Sequence, residues 1–397
     1  MKTALKDLFE FNPRYPLKKG HEAPFVAMDD IEPWVRSVEA KTRKQYISGP
    51  RFVDGDVLLA RITPSLENGK TSIYCASPTS RSSVAFGSTE FIVIRGKEGI
   101  SDSRYAYYLF RSSDVRDFAI GTMNGSSGRQ RVQLDALAEF EVSIPSLNEQ
   151  RAIAATLGVL DNKIESNRRQ RTLCRQLGLA LVTRLEETAT EYSPLEDFAL
   201  SISRGVAPKY YKDEDVEPIM VLNQRCIRDG WVSPNAARLM LPRVKAKDAG
   251  IAERGDLLVN STGQGTLGRV GRWSYEDSLY VDSHVTVVKP DRTQIAPTLL
   301  SYLVLPRQPE IEDMAEGSTG QTELSPNRLG SLNLPVIPQV EQELIERKLL
   351  VLEEKAHVAA VETAKLEALL DALLPELMSG RIRVPEAREA IDQGVGL

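Results

Sequence analysis

The sequence predicts a mixed α/β (α+β) protein in which two domains, related by approximate two-fold symmetry, are joined by two long antiparallel coiled-coil helices. Three observations predict it. Short motifs return 192 residues later: Glu149-Gln150 as Glu341-Gln342, and Gly125-Ser126-Ser127-Gly128 as Gly317-Ser318-Thr319-Gly320. An apolar ladder returns in the same phase, Ile153, Leu157, Leu160 and Ile164 reappearing as Ile345, Leu349, Leu352 and Ala356. Short β-branched runs bounded by Gly and Asp turn residues lie ahead of both ladders. A repeat of this length governs the whole fold, so it is read before any motif.

Residues 1–146 form the first expected domain. Val57-Leu58-Leu59-Ala60 and Phe91-Ile92-Val93-Ile94 read as strands, and Asp102 to Phe118 is helix-like, with Tyr105, Leu109 and Val115 near helical spacing. Residues 191–337 repeat the plan: Arg254-Gly255-Asp256-Leu257-Leu258-Val259 matches Asp54-Gly55-Asp56-Val57-Leu58-Leu59 at an offset of 200, and Val285-Thr286-Val287-Val288 matches the later strand. The drift from 200 to 192 marks insertions in diverged loops.

Residues 147–190 and 338–380 are the expected helices, with 381–397 as a tail. Steps of four and three align Ile153, Leu157, Leu160, Ile164, Asn167, Arg171, Cys174, Gly178, Leu181 and Leu185 on one seam. The same schedule gives Ile345, Leu349, Leu352, Ala356, Ala359, Thr363, Leu366, Leu370 and Leu373 on the other. Pro145 and Pro338 stand ahead of the helices, and Pro375 is expected to break the second. Polar Asn167 and Arg171 cost stability in a seam and fix its register. The intervening domain of about 150 residues favours antiparallel pairing, which also restores the two-fold relation. At ~1.5 Å per residue, Ile153 to Leu185 spans about 50 Å. Half-sites one DNA turn apart lie about 34–36 Å from centre to centre. A two-fold protein suits such a two-part target.

Composition bounds the chemistry. Hydrophobic content of 42% and charged content of 26% are ordinary for a globular protein. No apolar run reaches transmembrane length and no leader is recognisable at Met1-Lys2-Thr3-Ala4-Leu5, so a cytoplasmic protein without a membrane partner is expected. Cys75, Cys174 and Cys226, with only three histidines, make neither a zinc cluster nor a disulfide framework. The net charge of −5 is unevenly spread. Residues 1–147 hold 20 basic and 18 acidic side chains, 148–190 seven and five, 191–338 sixteen and 20, and 339–397 seven and twelve. Phosphate binding needs a basic surface, so the chain alone is expected to bind DNA modestly, with a partner supplying further positive charge.

Catalytic motifs are weak. Asn12-Pro13-Arg14-Tyr15 approximates the Asn-Pro-Pro-Tyr loop of N6-adenine methyltransferases, but Arg14 replaces a proline and no glycine-rich cofactor loop follows a strand; a turn is the better reading. Asn68-Gly69-Lys70-Thr71 has the end of a phosphate-binding loop, but Pro64 stands where its first glycine belongs. The loops after the Gly-Asp strands carry more. Arg61, Thr63, Ser65, Asn68 and Lys70 in one copy, and Asn260, Thr262, Gln264 and Arg269 in the other, are residue types that read base edges or phosphates. The Gly-Ser/Thr-Gly loops add Ser126, Ser127, Arg129 and Arg131, and Ser318, Thr319, Gln321 and Thr322. For any one of these residues a solvated turn is an equal alternative; the matching placement of different side chains in both copies favours two sites that read different sequences.

Ile144-Pro145-Ser146-Leu147-Asn148-Glu149-Gln150-Arg151-Ala152-Ile153, Leu160-Asp161-Asn162-Lys163-Ile164 with Asn167-Arg168-Arg169, and Leu373-Leu374-Pro375-Glu376-Leu377-Met378-Ser379-Gly380-Arg381-Ile382 resemble the specificity subunit of Type I restriction-modification systems. The resemblance spans almost the whole chain. It implies two target-recognition domains, each reading half of a bipartite DNA site, on paired helices that act as a ruler. It also implies partners: two modification subunits that bind S-adenosylmethionine and methylate adenine N6, and a motor-nuclease restriction subunit using ATP and Mg²⁺. The specificity subunit itself would carry no catalytic residue, cofactor or metal. This chain departs in its second helix, where Glu353-Glu354-Lys355-Ala356 replaces Asp-Asn-Lys-Ile and the Pro338-Gln339-Val340-Glu341-Gln342 approach is one residue shorter. The rival readings are a self-sufficient adenine methyltransferase and a coiled-coil adaptor without sequence preference.

Overall fold

The structure, a computed structural model, describes residues 2–77, 83–126, 128–209, 217–241, 250–317 and 322–395. The chain divides into two compact units, residues 1–169 with 359–397, and residues 170–358. Each unit therefore takes one of the two repeated globular domains and half of each long helix.

In the first unit Val57–Ala60 and Phe91–Gly96 are adjacent antiparallel strands, with Val57 opposite Ile94 and Ala60 opposite Phe91. Both lie inside a five-stranded sheet ordered Phe9–Phe11, Phe91–Gly96, Val57–Ala60, Thr71–Tyr74, Ser37–Val38. Residues 57–60 and 91–94 are all buried, which is why these strands read as unbroken apolar runs. A four-stranded sheet, ordered Thr42–Gln45, Glu22–Val26, Ala85–Gly87, Arg51–Phe52, completes the domain. The Gly-Asp motif makes the turn into the central strand. Gly55 takes φ +87°, and the buried Asp56 accepts from the Val53 N–H at 2.9 Å and from Arg95 Nε at 2.6 Å. Burial holds the Asp56 carboxyl above its ordinary range despite both bonds. The expected helix from Asp102 to Phe118 is instead two, Ser103–Arg111 and Ser113–Gly121, because Ser112 is extended (φ −60°, ψ 147°).

The second unit repeats this frame. Leu257 pairs with Val288 and Asn260 with Val285, the register of the first unit. Gly255 takes φ +104°, and Asp256 accepts from the Glu253 N–H at 2.9 Å and from Lys289 at 3.2 Å. The larger sheet gains a sixth strand: Ala199–Arg204, Val285–Pro290, Leu257–Asn260, Val270–Arg272, Trp231–Val232, Ile227–Arg228. The smaller runs Arg238–Met240, Ile219–Leu222, Leu279–Val281, Ile251–Ala252.

The long helices span Leu147–Glu186 and Gln339–Ser379. Within the first unit they run antiparallel. Arg383, just beyond the second helix, meets Glu149 at 3.1 Å, while Asn167 donates to Glu362 at 2.7 Å and Arg168 pairs with Glu367 at 2.7 Å. Ile153, Leu157, Leu160 and Ile164 are buried in one cluster with Leu366, Leu370 and Leu373, and Asn167 is buried beside them. That cluster also contains Tyr105, Tyr107, Tyr108 and Phe110, so the seam serves the domain as well as the partner helix. In the second unit Ile345 and Leu349 share a cluster with Val182, against which Leu181 and Leu185 pack half-buried; Leu352 is half-buried too. Arg171 stacks on Trp231, 5.2 Å from its ring centre. A Cβ on the buried Gly178 would fall 2.4 Å from the Tyr302 ring, so a side chain there would displace the tyrosine. Pro375 does not break the second helix, contrary to expectation: only four residues follow it, and Gly380 at φ +72° ends the helix. Nor is the segment after it a plain tail; Val384–Val395 is helical and buries Ala387 and Ile391 in the first unit.

The repeated glutamines fasten each domain to its helix. Gln150 is fully buried; its Oε1 accepts from the Asp102 N–H at 3.1 Å, and its Nε2 donates to the carbonyls of Ile100 (3.2 Å) and Pro145 (3.0 Å). Gln342 does the same with Ala296 (3.0 Å), Gln294 (3.0 Å) and Ile337 (2.9 Å). Three turns further on, Tyr108 donates to Asp161 at 2.6 Å and Tyr302 to Glu353 at 2.8 Å, so the Asp-to-Glu change between the copies keeps the acceptor. Burial raises the Asp161 carboxyl, and the Tyr108 bond opposes the shift. Gln150→Ala or Gln342→Ala strands one main-chain N–H and two carbonyls and is expected to cost roughly 2–4 kcal/mol. Denaturant unfolding of each variant checks this, with exposed Gln176→Ala as the control expected to change stability by about 0.5 kcal/mol or less.

Candidate nucleic-acid interface

The two loops singled out in the first copy are brought together. Beyond Ala60 the chain bonds in sequence to Glu90 and to residues 130–132. The Arg61 N–H donates to the Glu90 carbonyl (2.9 Å), the Val132 N–H to the Arg61 carbonyl (2.8 Å) and the Thr63 N–H to the Gln130 carbonyl (3.0 Å). Arg131 forms strand bridges with both Ile62 and Asn124. Asn68, Ser126 and Arg129 are exposed on this junction, while Ser65 and Thr63 are half-buried. Arg131 lies half-exposed and grips Glu90 with Nε and Nη2 at 2.6–3.1 Å. That fork holds the Glu90 carboxyl below its ordinary range, so it remains an anion. Arg61 is half-buried and its Nε has no hydrogen-bond partner among the described residues. Lys70 faces inward, donating to the Met28 carbonyl at 3.0 Å with Asp29 at 3.6 Å. Gly69 at φ +79° lies against Trp34, where a Cβ would meet the ring at 2.3 Å. The Asn68-Gly69-Lys70 segment is thus a fixed turn.

The second unit builds the same junction from different side chains. Glu323 bridges Thr262 and Glu316, and the Leu324 N–H donates to the Ser261 carbonyl at 2.8 Å. Thr262 Oγ1 meets His284 Nδ1 at 2.9 Å and Gln224 Nε2 at 2.7 Å. Gln264 and Thr322 are exposed; Arg269 is half-buried and donates to the Gly265 carbonyl at 2.9 Å. Asn260 corrects the sequence reading. It has no exposed surface, and its Nδ2 donates to the carbonyls of Gln224 and Thr266, both at 3.1 Å, so it shapes the loop and is not presented to a base. Ser127, Ser318, Thr319 and Gln321 lie outside the described residues.

Sequence reading missed a basic edge. Thr42–Gln45 is exposed at every residue and borders the smaller sheet of the first unit. Arg43 pairs with Glu22 at 3.1 Å, and Lys44 sits 4.0 Å from the Phe25 ring centre. Main-chain bonds from Gly20 to Tyr46 (2.8 Å) and from Tyr46 to His21 (2.9 Å) place the exposed Lys18 and Lys19 beside it. The signal was available as the runs Lys41-Thr42-Arg43-Lys44 and Lys18-Lys19. In the second unit the equivalent edge, Arg238–Met240, exposes Arg238 and Leu239. Asn12-Pro13-Arg14-Tyr15 is a turn: Asn12 takes φ +49°, bonds to Val93 through both its N–H and its Oδ1, and Tyr15 lies against Arg95. Among the described residues no helix is long and apolar enough to cross a membrane.

Comparison with known proteins agrees with this architecture. Residues 1–173 match the family described as the Type I restriction modification DNA specificity domain. The specificity subunit of the EcoAI Type I restriction enzyme of Escherichia coli is 26% identical over 207 residues, which are 51% of this chain and 35% of that protein. The EcoEI specificity subunit of the same organism is 28% identical over 153 residues, 38% of this chain and 25% of its own length. The chain thus spans about a third and a quarter of these curated relatives. A putative specificity subunit of Methanocaldococcus jannaschii, MjaX, is 19% identical over 364 residues, 86% of this chain and 82% of that one. A crystal structure of a Type I S subunit from M. genitalium shares the fold, with a TM-score of 0.54, 16% identity and 95% coverage of both chains. The first part of the chain, residues 1–173, is thus similar to the Type I restriction modification DNA specificity domain, and the strand register of that matched region is repeated in the second part.

Proposed function

We propose that this chain is the non-catalytic DNA-recognition subunit of a Type I restriction-modification complex. It reads a bipartite, asymmetric duplex and positions two modification subunits for adenine N6 methylation, with a restriction subunit joining to cleave unmodified DNA. The observation that carries the reading is the repeated junction: one main-chain scaffold, occurring twice, presents Thr63, Asn68, Ser126, Arg129 and Arg131 in one copy and Thr262, Gln264, Arg269 and Thr322 in the other. S-adenosylmethionine, ATP and Mg²⁺ would be held by the partners. Selection from random duplexes by the chain assembled with its modification subunits tests this. Enrichment of one split motif is the expected result; enrichment of none favours a mere adaptor, and methyl transfer by the chain alone would favour a self-sufficient methyltransferase.

The basic edge supplies phosphate contacts in this reading. Arg43→Gln with Lys44→Gln is expected to weaken binding of the assembled complex to all duplexes alike. The slope of log affinity against log salt should fall by about 1–2, one per lost phosphate contact. A change confined to particular sequences would instead make the edge a reader of bases.

The helices set the distance between the half-sites. Inserting seven residues between Ile153 and Leu185, with seven in the facing part of the second helix, adds about 10 Å at 1.5 Å per residue. The selected motif is expected to lengthen its unread spacer by about three base pairs at 3.4 Å each. An unchanged spacer in the selected sequences would defeat the ruler.

A further inference from the structure

At the centre of each junction stands one exposed charged side chain, and the two are opposite in sign. Arg131 bridges Ile62 and Asn124, and Glu323 bridges Thr262 and Glu316. Each is held by a less exposed partner. The Arg131 side chain is 43% exposed against 22% for Glu90, and Glu323 is 59% exposed against 22% for Arg204. Glu90 takes Nε and Nη2 of Arg131, and Nη1 has no hydrogen-bond partner among the described residues. Arg204 meets Glu323 Oε1 at 2.6 Å while donating to the carbonyls of Leu324 (2.6 Å) and Ser283 (3.3 Å), so the arginine is the anchored member and Glu323 Oε2 remains an acceptor.

A guanidinium only donates and a carboxylate only accepts. Guanine offers two acceptors in the major groove, whereas cytosine and adenine offer an amino group. Phosphate contact could account for Arg131 but not for Glu323, since a carboxylate repels phosphate; a base amino group is the part of a duplex that suits it. We propose that positions 131 and 323 are paired specificity determinants. Arg131, positioned by Glu90, reads the acceptor edge of a guanine in one half-site, and Glu323, positioned by Arg204, reads a base amino group in the other. This rests on the DNA-recognition reading above.

The test is selection from random duplexes by the complex assembled with its modification subunits, comparing the unaltered chain with Arg131→Ala, Arg131→Lys, Glu90→Gln and Glu323→Ala. Arg131→Ala is expected to relax discrimination at a single guanine about 10–100-fold, leaving the other half-site intact as an internal control of folding. Arg131→Lys, which keeps the charge, and Glu90→Gln, which leaves the arginine in place, should relax the same base. Glu323→Ala should relax one position in the opposite half, and the base preferred there by the unaltered chain tells cytosine from adenine. Unchanged discrimination in both halves overturns the proposal, as does an equal loss across all sequences, which would mark a phosphate contact or a damaged fold. If the unaltered complex selects no motif, the DNA-recognition reading itself fails.

Discussion

A buried glutamine amide is the fixed point of each half of this molecule. Gln150 and Gln342 each join three main-chain groups that would otherwise be stranded: an N–H at the start of the domain's helix, the carbonyl two residues ahead of it, and the carbonyl at the approach to the long helix. A buried amide that satisfies three polar groups orients as well as stabilises, because any other placement leaves donors or acceptors unpaired. The domain helix so fixed packs on the central strands, and those strands end at the junction where the loops meet. Loop position thus follows from a contact on the opposite side of the domain core.

Legibility in the sequence followed from this arrangement. Glu149-Gln150 and Glu341-Gln342 stand out because the glutamine's bonds tolerate few alternatives, and the apolar ladder stands out because a helix imposes a period. Sheet order was not legible: the strands are two to six residues long and pair across insertions that differ between the copies. The fate of individual loop amides was equally hidden. Asn260 and Gln264 look alike as letters, yet one is enclosed by the loop and the other leaves it. Thr42–Gln45 gave no strand signal because it is exposed on both faces and so lacks the alternation that a half-buried strand shows. Pro375 misled because a proline near the last turn removes little hydrogen bonding.

The charge imbalance between the two halves of the sequence has a local counterpart. Acidic residues in the second unit are not merely surplus surface charge: Glu353 receives Tyr302 and Arg272, Asp256 receives Lys289, and Glu323 receives Arg204. The net charge is therefore a poor guide to the local field, because these acids, Glu323 at the loop junction among them, are each paired with a cation or a hydroxyl donor.

The division of the chain also orders events in time. The second unit is one uninterrupted stretch, residues 170–358, whereas the first is closed only by Leu366, Leu370, Leu373, Ala387 and Ile391. A ribosome adding about 5–20 residues per second takes roughly 10–45 s to travel from the end of the first stretch to the end of the last helix. Over that interval the apolar face around Ile153, Leu157 and Leu160 has been made but its cover has not. The half of the protein synthesised first is the half completed last.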